Sequence, residues 1–341
     1  DAITDADFNV AVGFQALGIN TVGSGSVAVG SEALQGQNPA TAVTMYNVAV
    51  GHNAGYSVST GVRNSIVGGL AGDSLTVGGN NVSMGYASLS ADTQGSGSVA
   101  IGAGALNVQN FTTATTTYNT AVGLDAGKAV TTGINNTLVG GQAGDAVTTG
   151  GWNTLIGQGA GSASLLLTTG GSNTLVGSNM DTTAADATFA MGLGYALDCA
   201  AGYTTLGQGA TDIRAAHGNV TWATVSDERY KKDIVDSTAG LSFINALTPR
   251  TFKYKTLGEL PETFRAYEAD STEVFKNSNT NHGFIAQEVK AAIDADSSIK
   301  DGFRLWDDRA DGSQEVAEAA LIPILVKAIQ ELTARVAELE G

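Results

Sequence analysis

The chain has 341 residues, of which 45 are glycine and 15% are charged, and its formal net charge is −16. An apolar content of 43% excludes a disordered chain, and the glycine content is far from that of an ordinary globular domain. The acidic balance argues against a nucleic-acid partner, and the lack of an apolar run of about 18 residues argues against membrane insertion.

Two smaller features of the composition bear on processing. The single Cys199 excludes an internal disulfide framework. The sequence begins at Asp1 without a methionine or a signal peptide, from which we expect a fragment or a processed product.

A short repeat fills residues 1–177. A glycine preceded by a small or apolar triplet recurs in steps of 17, 20 or 21 residues. The repeat glycines are Gly13, Gly30, Gly51, Gly68, Gly85, Gly102, Gly123, Gly140, Gly157 and Gly177. About 17 residues cannot bury a core alone, so the repeat predicts coils stacked into a parallel β-solenoid or β-roll shaft.

Each position of the coil has an expected role. The residue before the repeat glycine is Val, Ile or Met, as at Val50, and alternation predicts that it faces the interior. Asn or Ser stands four residues before the glycine, which predicts a stacked ladder of buried amides. A second glycine, as at Gly61, often stands seven residues before and suits a corner with positive φ. An alanine three residues after, as at Ala54, suits a crowded axis.

The spacing pattern itself repeats every four coils. The two longer coils carry similar inserts at residues 37–46 and 108–118, which we expect to protrude as bulges. Regularity decays after Gly177, through AMG ending at Gly192 and TLG ending at Gly207. The sequence therefore predicts an irregular tip or neck at residues 178–215.

The composition changes near residue 216, and most Lys and Arg lie beyond residue 213. Residues 216–341 are therefore a predicted separate domain. It contains the motifs SDERYKKDI (226–234), FINALTPRTFKYK (243–255) and GFIAQEV (283–289). Its last segment has apolar residues spaced by three and four, a coiled-coil seam of nearly three heptads that implies a partner helix. The seam residues are Ile322, Leu325, Ile329, Leu332, Val336 and Leu339.

Through these motifs, residues 216–341 resemble the C-terminal intramolecular chaperone domain, of the endosialidase type, of phage tail fibres and tailspikes. The repeats resemble the heads of trimeric autotransporter adhesins, whose coils carry an NSVAIG-like signature. The β-barrel anchor of those adhesins has no counterpart in this sequence, which favours the phage family. The expected fold is mainly β: a trimeric solenoid shaft followed by a small α+β chaperone domain that ends in a coiled-coil helix.

The resemblance implies self-cleavage between Val225 and Ser226. Ser226 would attack the preceding carbonyl, and water would hydrolyse the resulting ester. Lys231 would be the base, which requires its burial, while Asp227, Glu228 or His282 could orient the pair or relay a proton. A turn must separate Ser226 from Lys231, since five residues of regular helix would point them apart. The residues alone leave open that Ser226 or Asp227 only caps a helix.

The expected function is a trimeric phage tail fibre for host attachment. Its C-terminal domain would set the register and then release itself in a single turnover, without cofactor or metal. The expected partners are a host cell-surface receptor, either a glycan or an outer-membrane component, and other virion tail proteins. The protein would be made in the host cytoplasm and act in the virion. The alternatives are a bacterial cell-surface trimeric adhesin and a polysaccharide depolymerase tailspike.

Overall fold

The computed structural model of the protein describes residues 5–163, 166–219, 221–297, 299 and 304–341, so the expectation about Asp1 lies outside the described residues. The chain divides into two compact units, Asp1–Asp227 and Glu228–Gly341. This division lies beyond residue 216, where the composition changes. None of the described helices has the length and apolar character needed to cross a bilayer.

The first unit is a solenoid of short strands. The strands are β1 (Val10–Val12), β2 (Gly23–Ser24), β3 (Val27–Val29), β4 (Val43–Thr44), β5 (Val48–Val50), β6 (Ser65–Val67), β7 (Val82–Met84), β8 (Gly95–Ser96), β9 (Val99–Ile101), β10 (Thr115–Thr116), β11 (Thr120–Val122), β12 (Thr137–Val139), β13 (Thr154–Ile156), β14 (Thr174–Val176), β15 (Asp181–Thr182), β16 (Met191–Tyr195), β17 (Asp198–Cys199), β18 (Tyr203–Gln208), β19 (Ile213–Ala216) and β20 (Ala223–Thr224).

One sheet connects the coils of this unit. Its order is β1-β3-β5-β6-β7-β9-β11-β12-β13-β14-β16-β18-β19-β20, and every pair from β1 to β18 is parallel. Equivalent residues pair, as Ala28 with Ala49. The last two strands, β19 and β20, are antiparallel. The prediction of a mainly β, parallel solenoid is confirmed.

The interior of the coil is offset by one residue from the prediction. In the three-residue strands from β3 to β14, the middle residue, such as Ala49 or Leu138, is fully buried. The residue before the repeat glycine faces outward, and Val12 is 57% exposed. The prediction that this position is buried is wrong. Because the buried amide lies four residues before the glycine, period-2 alternation puts the residue two before the glycine inside as well.

The predicted amide ladder is confirmed. The Asn64 backbone N–H donates to Asn47 Oδ1 (2.9 Å), and Asn47 Nδ2 donates to the Gly61 carbonyl (2.8 Å). The buried ladder residues are Asn47, Asn64, Asn81, Asn119, Asn136, Asn153 and Asn173. Where a long coil has Ser98 instead, Gln109 of the insert bridges the gap, because it donates to Ser98 Oγ (2.9 Å) and accepts from Asn119 Nδ2 (2.8 Å).

The corner glycines are needed for close packing. Gly61 and its equivalents do not have positive φ, so that prediction is wrong. A Cβ at Gly61 would instead overlap the carbonyl oxygen of Gly78 in the next coil. Positive φ belongs to the repeat glycines, such as Gly51 at +137°. The alanine three residues after the repeat glycine is buried as expected, for example Ala54.

The inserts and residues 178–215 are more regular than the sequence suggests. In the inserts, β4 pairs with β2 and β10 with β8, so each insert adds a small parallel sheet to the preceding coil. Between residues 178 and 215, β16 and β18 extend the main sheet, where we expected an irregular tip. In this register the counterpart of Gly177 is Gly194 and not Gly192. The Asn signature ends at Asn173, yet its Oδ1 still accepts from the Ala190 N–H (2.9 Å) and continues the stack.

The second unit is a small α+β fold. Its elements are a 3-10 turn (Glu228–Tyr230), α1 (Leu241–Ala246), β21 (Arg250–Phe252), a 3-10 turn (Leu257–Glu259), β22 (Asn281–Gly283), α2 (Ala286–Ala295), β23 (Trp306–Asp308), β24 (Gln314–Val316), a 3-10 turn (Glu318–Leu321) and α3 (Ile322–Glu340). The pairs β21–β22 and β23–β24 are antiparallel. The core contains Phe243, Val289, Ile293, Leu305, Leu321 and Ile324. The predicted α+β domain with a terminal helix is confirmed.

Candidate functional site

The predicted cleavage bond lies at the end of the first unit. The edge strand β20 ends at Thr224, directly before Val225 and Ser226. Both residues are exposed, and Asp227 is partly buried. Because β20 is the last strand of the sheet and pairs only with β19, the chain leaves the sheet at this bond.

Lys231 lies in the second unit, after the 3-10 turn Glu228–Tyr230. Its backbone N–H donates to the Glu228 carbonyl (2.9 Å), and its side chain is exposed. A 3-10 turn therefore lies between Ser226 and Lys231. Asp227 immediately precedes this turn, so a capping role for it stays open. The roles of Ser226 as nucleophile and Lys231 as base stay predictions.

His282 lies on β22, opposite Thr251 of β21. The Thr251 Oγ1 and His282 Nδ1 atoms are 3.4 Å apart, and the histidine is exposed. The antiparallel pair therefore positions His282 through a neighbour from the FINALTPRTFKYK motif. Its role as an orienting group or proton relay also stays a prediction.

Two contacts that sequence reasoning missed connect the motifs of the second unit. Arg250 of β21 forms a bidentate pair with Glu288 of α2, with Nε–Oε2 at 3.0 Å and Nη2–Oε1 at 2.7 Å. Because of this pair, the pKa of the Glu288 carboxyl lies below its usual range. Glu331 of α3 accepts a hydrogen bond from the Leu241 N–H at the start of α1 (2.9 Å). Arg250 belongs to the FINALTPRTFKYK motif and Glu288 to the GFIAQEV motif, and this membership was the only feature of the sequence that pointed to them.

The terminal helix α3 has two apolar faces. Ile324 and Ala328 of α3 are buried against the second unit. The predicted seam is exposed instead, with Ile329 at 61% and Leu332 at 46%. A helix with two apolar faces, of which only one is covered, has the pattern of a helix that packs against further helices.

These motifs, once assembled, can be compared with known families. Residues 226–296 match the peptidase S74 family model, described as the chaperone of endosialidase. This segment is therefore similar to the endosialidase-type chaperone. The match begins at Ser226 and covers about a fifth of the chain. No curated protein and no solved structure gives a significant match.

Outside residues 226–296, the described part of the solenoid has a polar groove. It has a volume of about 590 Å³ and contains the carboxylates of Asp145, Asp181 and Asp198. Asp181 is buried, and its Oδ1 accepts from the Ala163 N–H (2.9 Å), which suits a structural role. Burial raises the pKa of the nearby Cys199 thiol to about 11, so this cysteine stays protonated at neutral pH and is a poor nucleophile.

Proposed function

We propose that this protein is a trimeric phage tail fibre. Its solenoid is the host-attachment shaft, and its chaperone domain drives trimerisation, sets the register and then releases itself by autoproteolysis. The observation that carries the proposal is the direct succession, in one chain, of a solenoid of equivalent coils and an endosialidase-type chaperone domain.

The solenoid explains why a chaperone is useful. Its strands pair residue for residue, and the interior position is Ala or Leu in most coils. Three such chains could slip past one another by whole coils with a small local penalty. Pairing over long sequence separations is also slow and prone to aggregation. A domain that trimerises first restricts the shafts to a few starting registers.

Two uncovered apolar surfaces support a homotrimer. The first is the exposed seam of α3, which implies at least one partner helix. The second is the outward side of the main sheet, where strands such as β5 present Val48 and Val50. Monomeric soluble proteins rarely leave long apolar surfaces uncovered.

The proposed reaction is an acyl shift followed by hydrolysis. Ser226 Oγ attacks the Val225 carbonyl carbon, the C–N bond of the peptide breaks, and the hydroxyl proton ends on the new amino group of Ser226. Water then cleaves the ester, which regenerates the hydroxyl and leaves a carboxylate on Val225. A lysine acts as a base only in its neutral form, which burial favours. Since Lys231 is exposed in the single chain, assembly must cover it, and this order couples cleavage to trimer formation.

The intact mass and the oligomer mass of the purified protein test this proposal together. We expect wild-type trimers that contain a shaft and a separate C-terminal fragment. Ser226→Ala and Lys231→Ala should each leave a chain of 34.5 kDa and still form trimers. Lys232→Ala, which alters the exposed neighbouring lysine, is the matched control and should cleave normally. A wild-type trimer whose chains stay uncleaved would restrict the SDERYKKDI motif to a structural role.

The proposed receptor contacts lie on the inserts and on residues 178–215, because these depart from the repeat. Glutamate substitutions at the exposed insert residues Thr41 and Thr113, together with substitutions at exposed positions in 178–215, should abolish adsorption to the host while the chain stays folded, and unchanged adsorption would contradict this. The location of the protein separates a virion fibre from a bacterial adhesin. A fibre would be found on virions that adsorb to the host, and an adhesin would be found on the surface of the cell that produces it. Release of sugars from host polysaccharide would instead favour a depolymerase.

A further inference from the structure

The two inserts share their exposed residues more than their buried ones. Residues 37–46 correspond one to one with residues 109–118, at a shift of 72 residues. Of the three buried positions, two differ between the inserts: Pro39 corresponds to Phe111 and Met45 to Thr117. Of the seven positions that are exposed in the first insert, five carry the same residue in both: Asn38 and Asn110, Thr41 and Thr113, Ala42 and Ala114, Thr44 and Thr116, Tyr46 and Tyr118.

Duplication of the four-coil unit does not by itself explain this agreement. The exposed turn that follows each insert differs between the two units, because His52 corresponds to Leu124 and Tyr56 to Lys128. A duplication alone would have kept these exposed residues as well. Packing restricts the buried positions of a fold, whereas exposed residues are restricted mainly by what they contact outside the chain. The shared exposed residues therefore indicate a ligand that both inserts contact.

The shared threonine and tyrosine lie together against a glycine of the preceding coil. A Cβ on Gly25 would stand 3.0 Å from Thr44 Cγ2 and 3.8 Å from Tyr46 Cδ1. The corresponding distances in the second insert are 3.6 and 4.0 Å. Since glycine has no side chain, the threonine methyl and the tyrosine ring form one continuous patch above it. We name these two patches the insert surfaces; they consist of Gly25, Thr44 and Tyr46, and of Gly97, Thr116 and Tyr118.

The fold of the coil does not require a tyrosine at this position. Tyr46 and Tyr118 have φ of +53° and +51°, a conformation that asparagine adopts at lower cost. Asn80 and Asn135 occupy the equivalent position in other coils, with φ of +58° and +61°. The two tyrosines are 61% and 67% exposed, and in the described part of the chain their hydroxyls make no hydrogen bond. Strained and exposed residues of this kind are typical of binding sites.

The charge of the inserts restricts the class of ligand. Residues 37–46 and 109–118 contain no charged residue, although the net charge of the chain is −16. Arg63 stands in the coil after the first insert, but its counterpart after the second is Asn135, so the two surfaces share no charge. An anionic ligand would therefore meet a repulsive chain without a shared cation. A tyrosine ring beside threonine hydroxyls suits a neutral molecule that has both an apolar face and hydroxyl groups.

We propose that each insert surface binds a neutral sugar unit, so that every chain carries two equivalent glycan sites. This inference rests on the proposed attachment function and names the chemical class of the receptor. The sheet order β3-β5-β6-β7-β9 places the two surfaces four coils apart, which is about 19 Å at about 4.8 Å per coil. A polysaccharide that repeats the same sugar occupies both surfaces, and the second contact then benefits from a high effective concentration.

Binding of the full chain to immobilised polysaccharides tests the proposal. The probes are neutral polymers of glucose (dextran), galactose, mannose and N-acetylglucosamine, with carboxymethyl dextran as the charged counterpart of dextran. We expect the wild type to bind at least one neutral polymer. Tyr46→Asn/Tyr118→Asn removes both rings and supplies a residue that suits positive φ, so it should lower the affinity about tenfold or more without lowering the melting temperature. Each single variant should halve the number of sites that calorimetry counts for a short oligosaccharide of the bound polymer.

The matched control is Phe8→Asn/Trp152→Asn. These two aromatic residues occupy the same repeat position, with φ of +59° and +64°, and are more than half exposed, but their coils have no insert. This control should keep the affinity of the wild type. Tyr46→Phe/Tyr118→Phe retains the rings and removes only the hydroxyls, so it should stay within about threefold of the wild type. The difference between the Asn and Phe variants then measures the contribution of the ring.

The outcomes separate this inference from the proposed function. Wild-type trimers that bind none of the neutral polymers, or a Tyr46→Asn/Tyr118→Asn variant that binds as well as the wild type, overturn the glycan sites while the trimer and its cleavage stand. Preference for carboxymethyl dextran over every neutral polymer also overturns them, as does an equal loss of binding in Phe8→Asn/Trp152→Asn. A wild-type chain that is monomeric and uncleaved overturns the proposed function, whereas its glycan binding is measured independently by the same probes.

Discussion

The two units of this protein are stabilised by different kinds of contact. In the solenoid most coils repeat a small or aliphatic interior residue, an amide bond between stacked Asn residues and parallel pairing, as between Asn136 and Asn153. In the second unit each important contact occurs once, such as the pair between Arg250 and Glu288 and the bond from Leu241 N–H to Glu331. Repeated contacts stabilise a coil equally well beside any other coil. Only contacts that occur once can define a unique arrangement.

This difference explains why the two units belong in one chain. A solenoid gains stability with every added coil, since each coil contributes an interface with its neighbour. The same property leaves its alignment with other copies poorly determined. The second unit has few residues but a specific core around Phe243, and in the proposed function it supplies the alignment of the copies.

Deletion of residues 228–341 is the most severe test of this comparison. Without the second unit the shafts should associate in mixed registers and aggregate, because long-range β pairing exposes apolar strands during folding. We expect a nearly complete loss of soluble, monodisperse protein, measured by the soluble fraction and by light scattering.

The control is removal of the same residues after folding, through a protease site inserted between Asp227 and Glu228. The shaft should then stay soluble and keep its oligomer mass, since the template has already acted. A truncated chain that folds to the same monodisperse assembly as the wild type would show that the solenoid aligns itself.

Charged substitutions in the seam of α3 should have the next largest effect. Ile329→Asp/Leu332→Asp should abolish trimers of the full chain, because both side chains lie on the uncovered face of the helix. The fold of the second unit should persist, since its core uses Ile324 and Ala328 instead. Light scattering measures the mass, and circular dichroism measures the retained helix.

Gln330→Asp/Ala334→Asp places the same number of carboxylates on the opposite, exposed side of α3 and should leave the trimer intact. If both variants lose the trimer, general helix destabilisation is responsible and not the seam. If neither does, the seam has no role in assembly.

A break in the amide ladder should have a smaller and more local effect. Asn136→Ala leaves the buried Asn153 N–H and the Gly150 carbonyl without the partners that Asn136 provides, at 3.1 and 3.0 Å. Each buried group without a partner costs about 1–3 kcal/mol. We expect a loss of several kcal/mol that hydrogen exchange places in the adjacent coils, while the second unit keeps its protection.

Thr132→Ala, at an exposed site of the same coil, should change little and is the matched control. Loss of protection throughout both units after Asn136→Ala would contradict the view that coils are stabilised by their neighbours alone.

The sequence predicted what repetition makes visible. Ten spaced glycines were enough to predict the solenoid, and the recurring Asn predicted the ladder. The phase was wrong by one residue because Val, Ile and Met before the glycine look like core residues, while the Ala or Ser that fills many coil interiors does not. The role of the corner glycines was predicted wrongly because a glycine can be needed for two reasons, positive φ or close approach of the next coil. The sequence looks the same in both cases, and at Gly61 the reason is close approach.

In the second unit the motifs could be located, but their contacts could not. Arg250 and Glu288 are 38 residues apart, and Leu241 and Glu331 are 90 residues apart. No local pattern connects such positions in a single sequence. The predicted roles of Ser226, Lys231, Asp227 and His282 came from the family resemblance, and they stay predictions.

The smallest effect concerns acid, and one carboxyl in each unit should respond with a sign opposite to that of the other. Hydrogen bonds from the Ser313 hydroxyl (2.6 Å), the Ser313 N–H (3.0 Å) and the Arg265 N–H (3.1 Å) lower the pKa of Asp311 to about 2. In the unfolded chain its pKa is the ordinary 3.8. The folded state therefore binds this proton less tightly, so the stabilisation is present above about pH 4 and is lost as the pH falls toward 2.

In the solenoid, burial raises the pKa of Asp73, and its Oδ1 is buried without a hydrogen-bond partner. A raised pKa changes stability with pH in the opposite direction. The contribution of Asp73 to the free energy of unfolding is greatest below pH 3.8 and is lost as the pH rises through its pKa in the folded state. Acid should therefore weaken the second unit while this site of the solenoid gains.

The two units can be followed separately during acid unfolding. In a Trp222→Phe background, Trp152 reports on the solenoid and Trp306 on the second unit, and each can be removed in turn. We expect the Trp306 transition to occur first as the pH falls from 4 to 2. Asp311→Asn should narrow the difference in stability between neutral and acid pH, whereas Asp236→Asn, at an exposed site of the same unit, should not. Earlier unfolding at Trp152 would mean that the repeated contacts, and not those that occur once, are the more sensitive to charge.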